Sequence, residues 1–231
     1  MFHKNYNEVY RQEWLAKTLA RLPNNTRILD AGAGELKNRQ HCGHLDYVSQ
    51  DFCQYEGQRG GVKEGLQIED WDTSRIDLVS DITAIPAPDA SFDAILCSEV
   101  LEHIAEPTHA LDEFARLLKP AGIMILTAPF ASLVHMAPYH YCTGFSRYWY
   151  EYHLPLRGFR IEELTPNGDW FAYVEQELMR LGSTARRYDD WKWPLGYALS
   201  ILGLLYFKFR VGRNADDLAC FGWHCVAVKQ E

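Results

Sequence analysis

Apolar and polar positions along this chain fall into blocks that switch between two periods. Over residues 6–22, Tyr6, Tyr10 and Trp14 stand four apart and are followed by Leu15, Leu19 and Leu22, the spacing of one helical face. Pro23-Asn24-Asn25 stops that helix. Residues 27–31 and 45–50 are short apolar runs that read as strands, the second closed by Asp51. Residues 52–74 are polar and glycine-rich, which predicts a loop. The runs 76–81 and 92–97 have the character of strands covered on both faces. Residues 108–118 carry Leu111, Phe114, Ala115 and Leu118 on one helical stripe, and Pro120-Ala121-Gly122 turns the chain into a strand over 123–127. A helix over 146–156, a strand over 159–164 and a last strand over 221–228 complete the pattern.

Strands alternating with helices predict a parallel α/β sheet joined by right-handed crossovers. About fifty residues, 167–219, separate the last two strands, where a hairpin needs only a few. Two helices, near 170–182 and 195–209, are expected there as an insertion.

Composition narrows the function classes. The 231 residues fit one large domain, and 47% hydrophobic with 23% charged residues excludes a mostly disordered chain. Twenty-three Lys plus Arg against thirty-one Asp plus Glu give a net charge of −8, which argues against a nucleic-acid partner. The cysteines at 42, 53, 97, 142, 220 and 225 form no CxxC pair, so no metal site is expected. Cys97 and Cys225 sit in apolar runs and read as buried thiols. Met1 to Tyr6 lack the apolar core of a signal peptide, and a cytoplasmic location is expected. Residues 193–207 carry no formal charge over fifteen positions, short of the roughly 20 needed to span a bilayer. Apolar nearly all round, the 193–209 helix is expected to be buried or at an interface, with membrane-surface contact as the alternative.

The chemistry gathers at the ends of the strands. Ile28-Leu29-Asp30-Ala31-Gly32-Ala33-Gly34 runs a strand into a glycine turn, where the backbone can approach a ligand closely. A dinucleotide fingerprint fails, because Lys37 stands where a third glycine or alanine belongs, and no P-loop spacing occurs. Asp51 closes the second strand nineteen residues after Gly32, where open α/β sheets place a carboxylate for ribose hydroxyls. Asp81 closes the third expected strand and Ser98-Glu99 follow the fourth.

These motifs, with Asp81-Ile82, Ile85-Pro86, Ser91-Phe92-Asp93, Ser98-Glu99-Val100-Leu101-Glu102-His103 and Leu117-Leu118-Lys119-Pro120-Ala121-Gly122, resemble class I S-adenosylmethionine-dependent methyltransferases of the type 11 group. The resemblance spans about residues 26–165, with the last strand rejoining at 220–229. It implies a Rossmann-like seven-stranded mixed sheet flanked by helices, with a helical insertion before the last strand. It divides one methyltransferase domain into an N-terminal helix or lid (1–25), a cofactor-binding core (26–166), the insertion (167–219) and the last strand (220–231).

For the cofactor S-adenosylmethionine and its product S-adenosylhomocysteine, the resemblance implies roles residue by residue. Gly32 and Gly34, with Ala31 between strand and loop, pass under the methionine part, and Asp30 orients that loop or reaches the ligand. Asp51 takes the ribose hydroxyls, Phe52 flanks the adenine, Asp81 accepts from its amino group and Ile82 frames its ring. Cys97 and Ser98 border the methionine end through their backbone, and His103 occupies a mainly structural family position. Two departures stand out: Leu36 replaces the usual third glycine, and Ala121-Gly122 replaces Gly-Gly.

The acceptor is expected at the loop after the fifth strand. His135, Tyr139, His140 and Tyr141 place two imidazoles and two phenols within seven residues, groups that stack and move protons. These four are the catalytic candidates; the bland alternative is that they fix the loop's shape. The acceptor read from this pattern is a small molecule or glycan, methylated on oxygen. The alternatives are a lipid-linked acceptor and a non-catalytic assembly module that keeps the fold. A second copy of the chain is a further candidate partner.

Overall fold

The computed structural model describes residues 6–61, 64–66, 68–209 and 211–231. The first five residues, on which the reading of the N-terminus rests, lie outside them. The described residues form two compact units. One comprises those up to Gln12 with Pro166–Phe221, the other Glu13–Thr165 with Gly222–Glu231.

The larger unit is built on one sheet. Its strands are β1 (Arg27–Ala31), β2 (Asp46–Asp51), β3 (Leu78–Val79), β4 (Phe92–Ser98), β5 (Leu118–Pro129), β6 (Phe159–Asn167) and β7 (Gly222–Lys229). They lie in the order β3-β2-β1-β4-β5-β7-β6. β3, β2, β1, β4 and β5 pair in parallel, and β7 runs antiparallel to β5. The sheet is therefore seven-stranded and mixed, with the helical insertion before its last strand. The order reverses at β1, flanked by β2 on one side and β4 on the other, which opens a crevice at the carboxyl ends of these strands.

Helix α1 (Tyr6–Leu19) buries Leu15 and Leu19 in a core with Ile28, Ala94, Leu96 and Ile125. Trp14 stacks on His224 at 4.6 Å and donates its indole N–H to Glu163 at 2.8 Å. Residues 14–19 of the expected lid thus pack on the sheet. Helix α2 (Pro107–Leu117) starts on a proline, where a missing N–H costs nothing, and buries Ala110, Leu111, Phe114 and Leu117. Helix α3 (Arg147–His153) is shorter than the pattern predicts. Pro155 cannot continue it, and a separate 3₁₀ turn follows over Pro155–Arg157.

Two strands depart from expectation. β3 has two residues rather than six, because Asp77 leaves the ladder. Its carboxylate takes the Ser49 N–H at 2.9 Å and the Ser49 hydroxyl at 2.7 Å. Asp81 therefore lies two residues beyond the strand rather than at its end. β5 starts five residues earlier than predicted, absorbing Pro120-Ala121-Gly122 as an irregularity in its pairing with β4. Ala121, exposed, is left-handed there at φ 60°. That conformation costs a residue with a Cβ roughly 1–2 kcal/mol, partly offset by the chain freedom glycine loses on folding. Ala121→Gly is expected to stabilise the fold by about 0.5 kcal/mol, read as a higher urea midpoint at unchanged slope. A lower midpoint would show that the turn is not strained.

The smaller unit pairs α4 (Trp170–Arg187), capped by Asp169 accepting the Ala172 N–H at 2.9 Å, with α5 (Trp193–Phe209). Of the expectation that α5 is buried or at an interface, burial needs correction. It buries only Gly196 and Ser200, and the Cα atom of Gly182 in α4 lies 3.1 Å from where a Gly196 Cβ would stand. Small residues bring the two backbones together along one narrow seam, so Leu195, Ile201, Leu202, Tyr206 and Phe209 stay exposed. Among the described residues no helix is long and apolar enough to cross a membrane.

Candidate active site

A cavity of about 430 Å³ opens at the carboxyl ends of the parallel strands, within the usual range for a small-molecule site. Its lining draws Gly32 from the turn after β1, Asp51 and Phe52 from the end of β2, and Asp81 and Ile82 from the turn after β3. Tyr139 and Tyr141 reach it from the loop after β5. Residues 13–19 of α1, the part in this unit, contribute nothing to this lining.

The glycine turn is shaped by β2. The N–H groups of Gly32 and Ala33 both donate to the Gln50 carbonyl, at 2.9 and 2.8 Å. The Asp51 carboxylate, buried, takes the Gly34 N–H on Oδ2 at 2.9 Å and the Cys53 N–H on Oδ1 at 2.8 Å. It therefore fixes both the glycine turn and its own following residue. Two lone-pair positions remain on the carboxylate for hydroxyl donors. Gly32 has φ +75°, and a Cβ there would stand 2.5 Å from a Val100 methyl; at Gly34 it would stand 3.0 Å from the Trp71 ring. The turn is thus a cradle that side chains would fill, as a site for a ligand approaching the backbone requires.

Asp81 accepts the Thr83 N–H and hydroxyl through Oδ1, at 2.8 and 2.7 Å, and is exposed. Phe52 meets Tyr139 edge to face at 5.0 Å, so the end of β2 touches the loop after β5.

Other expected residues stand behind the wall. Ala31 is buried in β1 and Cys97 in β4; Cys97, like Cys225, is a free thiol. Ser98 bonds Thr127 at 2.9 Å. Asp30 is buried and accepts the Tyr47 hydroxyl at 2.6 Å. Burial raises its carboxyl to about 6, opposed in part by hydrogen bonds from Tyr47 and Asn38. The sign follows. Below the ordinary carboxylate value both folded and unfolded chains hold the proton, and stability is full. As pH rises toward 6 the unfolded chain ionises first, and about 3 kcal/mol is lost. Urea unfolding of Asp30→Asn across pH 4–7 is expected to lack that loss relative to the native chain. Parallel curves would show that Asp30 ionises freely when folded.

Leu36, in place of a third glycine, is left-handed at φ 62° and opens a 3₁₀ turn over Lys37–His41. Gln50, Trp71, Val100 and His103 are among the other residues of the wall, and nothing in the sequence marks them for binding. Trp71, on the 52–74 loop, carries no periodic signal, and the Gln50 side chain, accepting the Gly32 N–H at 3.3 Å, reads in sequence as an ordinary strand residue.

A polar cluster runs back from the cavity wall at His103. Glu102 and His103 sit in the short 3₁₀ turn Leu101–His103 after β4; His135 and His140 come from the loop after β5. Ring centroids are 4.6 Å apart for His103 and His135 and 4.9 Å for His135 and His140. Glu102 is buried, and burial raises its carboxyl. Burial lowers His103 to about 4, with His135 adding to the effect. At His135 burial opposes charge, but the neighbouring Glu102 carboxylate wins and the imidazole is raised. His135 and His140 are thus brought together beside the cavity while Tyr139 and Tyr141 face it.

Residues 29–126 match the family model described as a methyltransferase domain. The ubiquinone biosynthesis O-methyltransferase of Xylella fastidiosa (strain M23) is 35% identical over 109 residues, 44% of this chain and 41% of that protein. The demethylmenaquinone methyltransferase of Deinococcus radiodurans is 31% identical over 128 residues, 51% of this chain and 48% of that protein. The chain thus matches less than half the length of these curated relatives. Phosphoethanolamine N-methyltransferase 2 of Haemonchus contortus, solved with S-adenosyl-L-methionine, shares the fold at a TM-score of 0.55 and 17% identity, over 96% of this chain and 52% of that one.

Proposed function

We propose that this chain, whose residues 29–126 match a methyltransferase-domain family model, is a class I methyltransferase of the type 11 group and transfers a methyl group from S-adenosylmethionine to an oxygen of a small-molecule or glycan acceptor. One observation carries the reading. The Asp51 carboxylate closes the glycine turn at the reversal of the strand order and borders a cavity of ligand size.

Bound there, the sulfonium of the cofactor supplies an electrophilic methyl. The chain's own residues do the rest. Gly32 and Gly34 give the backbone room, Asp51 offers acceptors to ribose hydroxyls, and Phe52 and Ile82 supply apolar walls for an adenine ring, with Asp81 at its edge. Tyr139 and Tyr141 position the acceptor, and His140 stands behind them to take its proton. Transfer of a methyl group depends mainly on alignment, which a preformed cavity provides.

A second reading takes a quinone-type lipid as acceptor. The names of the Xylella and Deinococcus relatives and the exposed apolar face of α5 support it.

The first test is calorimetric titration with S-adenosylmethionine and S-adenosylhomocysteine. Micromolar binding of both is expected, and binding of neither overturns the proposal. Turnover is then followed with sugar nucleotides on one side and hydroxylated quinone precursors on the other. Turnover of the precursors alone selects the lipid reading.

A further inference from the structure

We propose that Glu102, His103 and His135 form a site for one divalent cation of the borderline class that zinc represents. This departs from the expectation of no metal, which rested on cysteine spacing. The site joins residues 32 positions apart that only the pairing of β4 with β5 brings together.

The two imidazoles are oriented as metal ligands are. His103 Nδ1 lies 2.6 Å from the Tyr139 carbonyl oxygen, and His135 Nδ1 lies 2.9 Å from that of Leu133. A carbonyl only accepts, so each Nδ1 carries its hydrogen and each Nε2 is the atom left to bind. A backbone carbonyl on the far nitrogen is the usual support of a ligating histidine. Both Nε2 atoms stand 3.8 Å from the same atom, Glu102 Oε1.

Glu102 supplies the second observation. Its side chain is 1% exposed, and neither carboxylate oxygen has a hydrogen-bond partner. Its ion-pair partners among the described residues are those two imidazoles. A buried carboxylate with no donor on either oxygen is costly unless a cation completes it.

The spacing suits a metal. The three donor atoms lie within 4.8 Å of one another. Ligand atoms about 2.1 Å from a tetrahedral zinc lie roughly 3.4 Å apart, so side-chain shifts of an ångström or so complete the site. Two imidazoles and one carboxylate suit borderline first-row cations better than magnesium or calcium. His140 stands alongside, its Nδ1 buried and without a hydrogen-bond partner, as a partner for a bound water. The cation would tie the loop carrying Tyr139 and Tyr141 to the turn after β4, and His103 extends from it to the cavity wall.

The competing occupant of the same space is a proton shared between His135 and Glu102. The full chain, stripped with a chelator and titrated with zinc chloride, separates the two. One zinc per chain is expected by calorimetry, confirmed by metal analysis after gel filtration. His135→Ala and Glu102→Gln are each expected to weaken zinc at least 100-fold, while His153→Ala on α3 binds as the native chain does. Failure of the native chain to hold one zinc overturns the proposal, as does native-like zinc affinity in His135→Ala. His135 sits on a loop, so its variant keeps the test open if Glu102→Gln does not fold. Zinc uptake requires no methyl transfer, and the result stands apart from the proposed activity.

Discussion

Asp51→Ala is expected to abolish measurable binding of S-adenosylmethionine. The native carboxylate takes the Gly34 and Cys53 N–H groups at 2.9 and 2.8 Å, and it is buried. Hydrogen bonds to a charged group contribute about 1.5–3 kcal/mol each. Losing two of them frees both ends of the cradle and also removes the acceptors assigned to the ribose. A loss of about 3 kcal/mol or more weakens binding over 100-fold, which takes a micromolar ligand beyond calorimetric reach. Asp51→Asn is expected to rescue little. An amide offers one acceptor oxygen and one donor nitrogen, so one of the two N–H groups would face another donor. Unchanged affinity in Asp51→Ala would sink the ribose assignment. Urea unfolding of the same variant tells loss of the site from loss of the fold.

Gly32→Ala is expected to cost on the order of 4 kcal/mol of stability and at least tenfold in cofactor affinity. The added Cβ would stand 2.5 and 2.6 Å from the two Val100 methyls, at φ +75°. The left-handed conformation accounts for about 1–2 kcal/mol and overpacking for about 1–3. Valine is stiff about χ1 and cannot turn both methyls aside. The double variant Gly32→Ala with Val100→Ala is expected to recover the overpacking share and keep the backbone share, a coupling that a double-mutant cycle reads directly. A cost below about 1 kcal/mol in the single variant would show that the turn relaxes and that glycine is not required there.

The half of the site proposed to hold the cofactor was legible because its parts are local. A strand, a glycine turn and a carboxylate at a strand end are each written over a few consecutive residues. Gly32, Asp51, Phe52 and Ile82 reach the cavity for that reason. Asp30 shows the limit. Its motif position is clear in sequence, yet only the fold turns its side chain to Tyr47 and into burial. The 193–209 helix shows another. Its hydropathy is plain, but which face is covered depends on where Gly182 and Gly196 let two backbones meet.

The sequence by itself determined the alternation of strands and helices, the parallel pairing of β1 to β5, the glycine turn and Asp51 at the end of β2. These follow from periodicity and from backbone freedom at single positions. Tertiary structure alone decided the rest. It shortened β3 through the Asp77 carboxylate, folded Trp71 and Gln50 into the cavity wall, and set His103 and His135 against one buried Glu102 oxygen. Such contacts join residues from separate loops, and their energies depend on burial and on distances of a few ångströms. Neither quantity is carried by any stretch of chain taken alone.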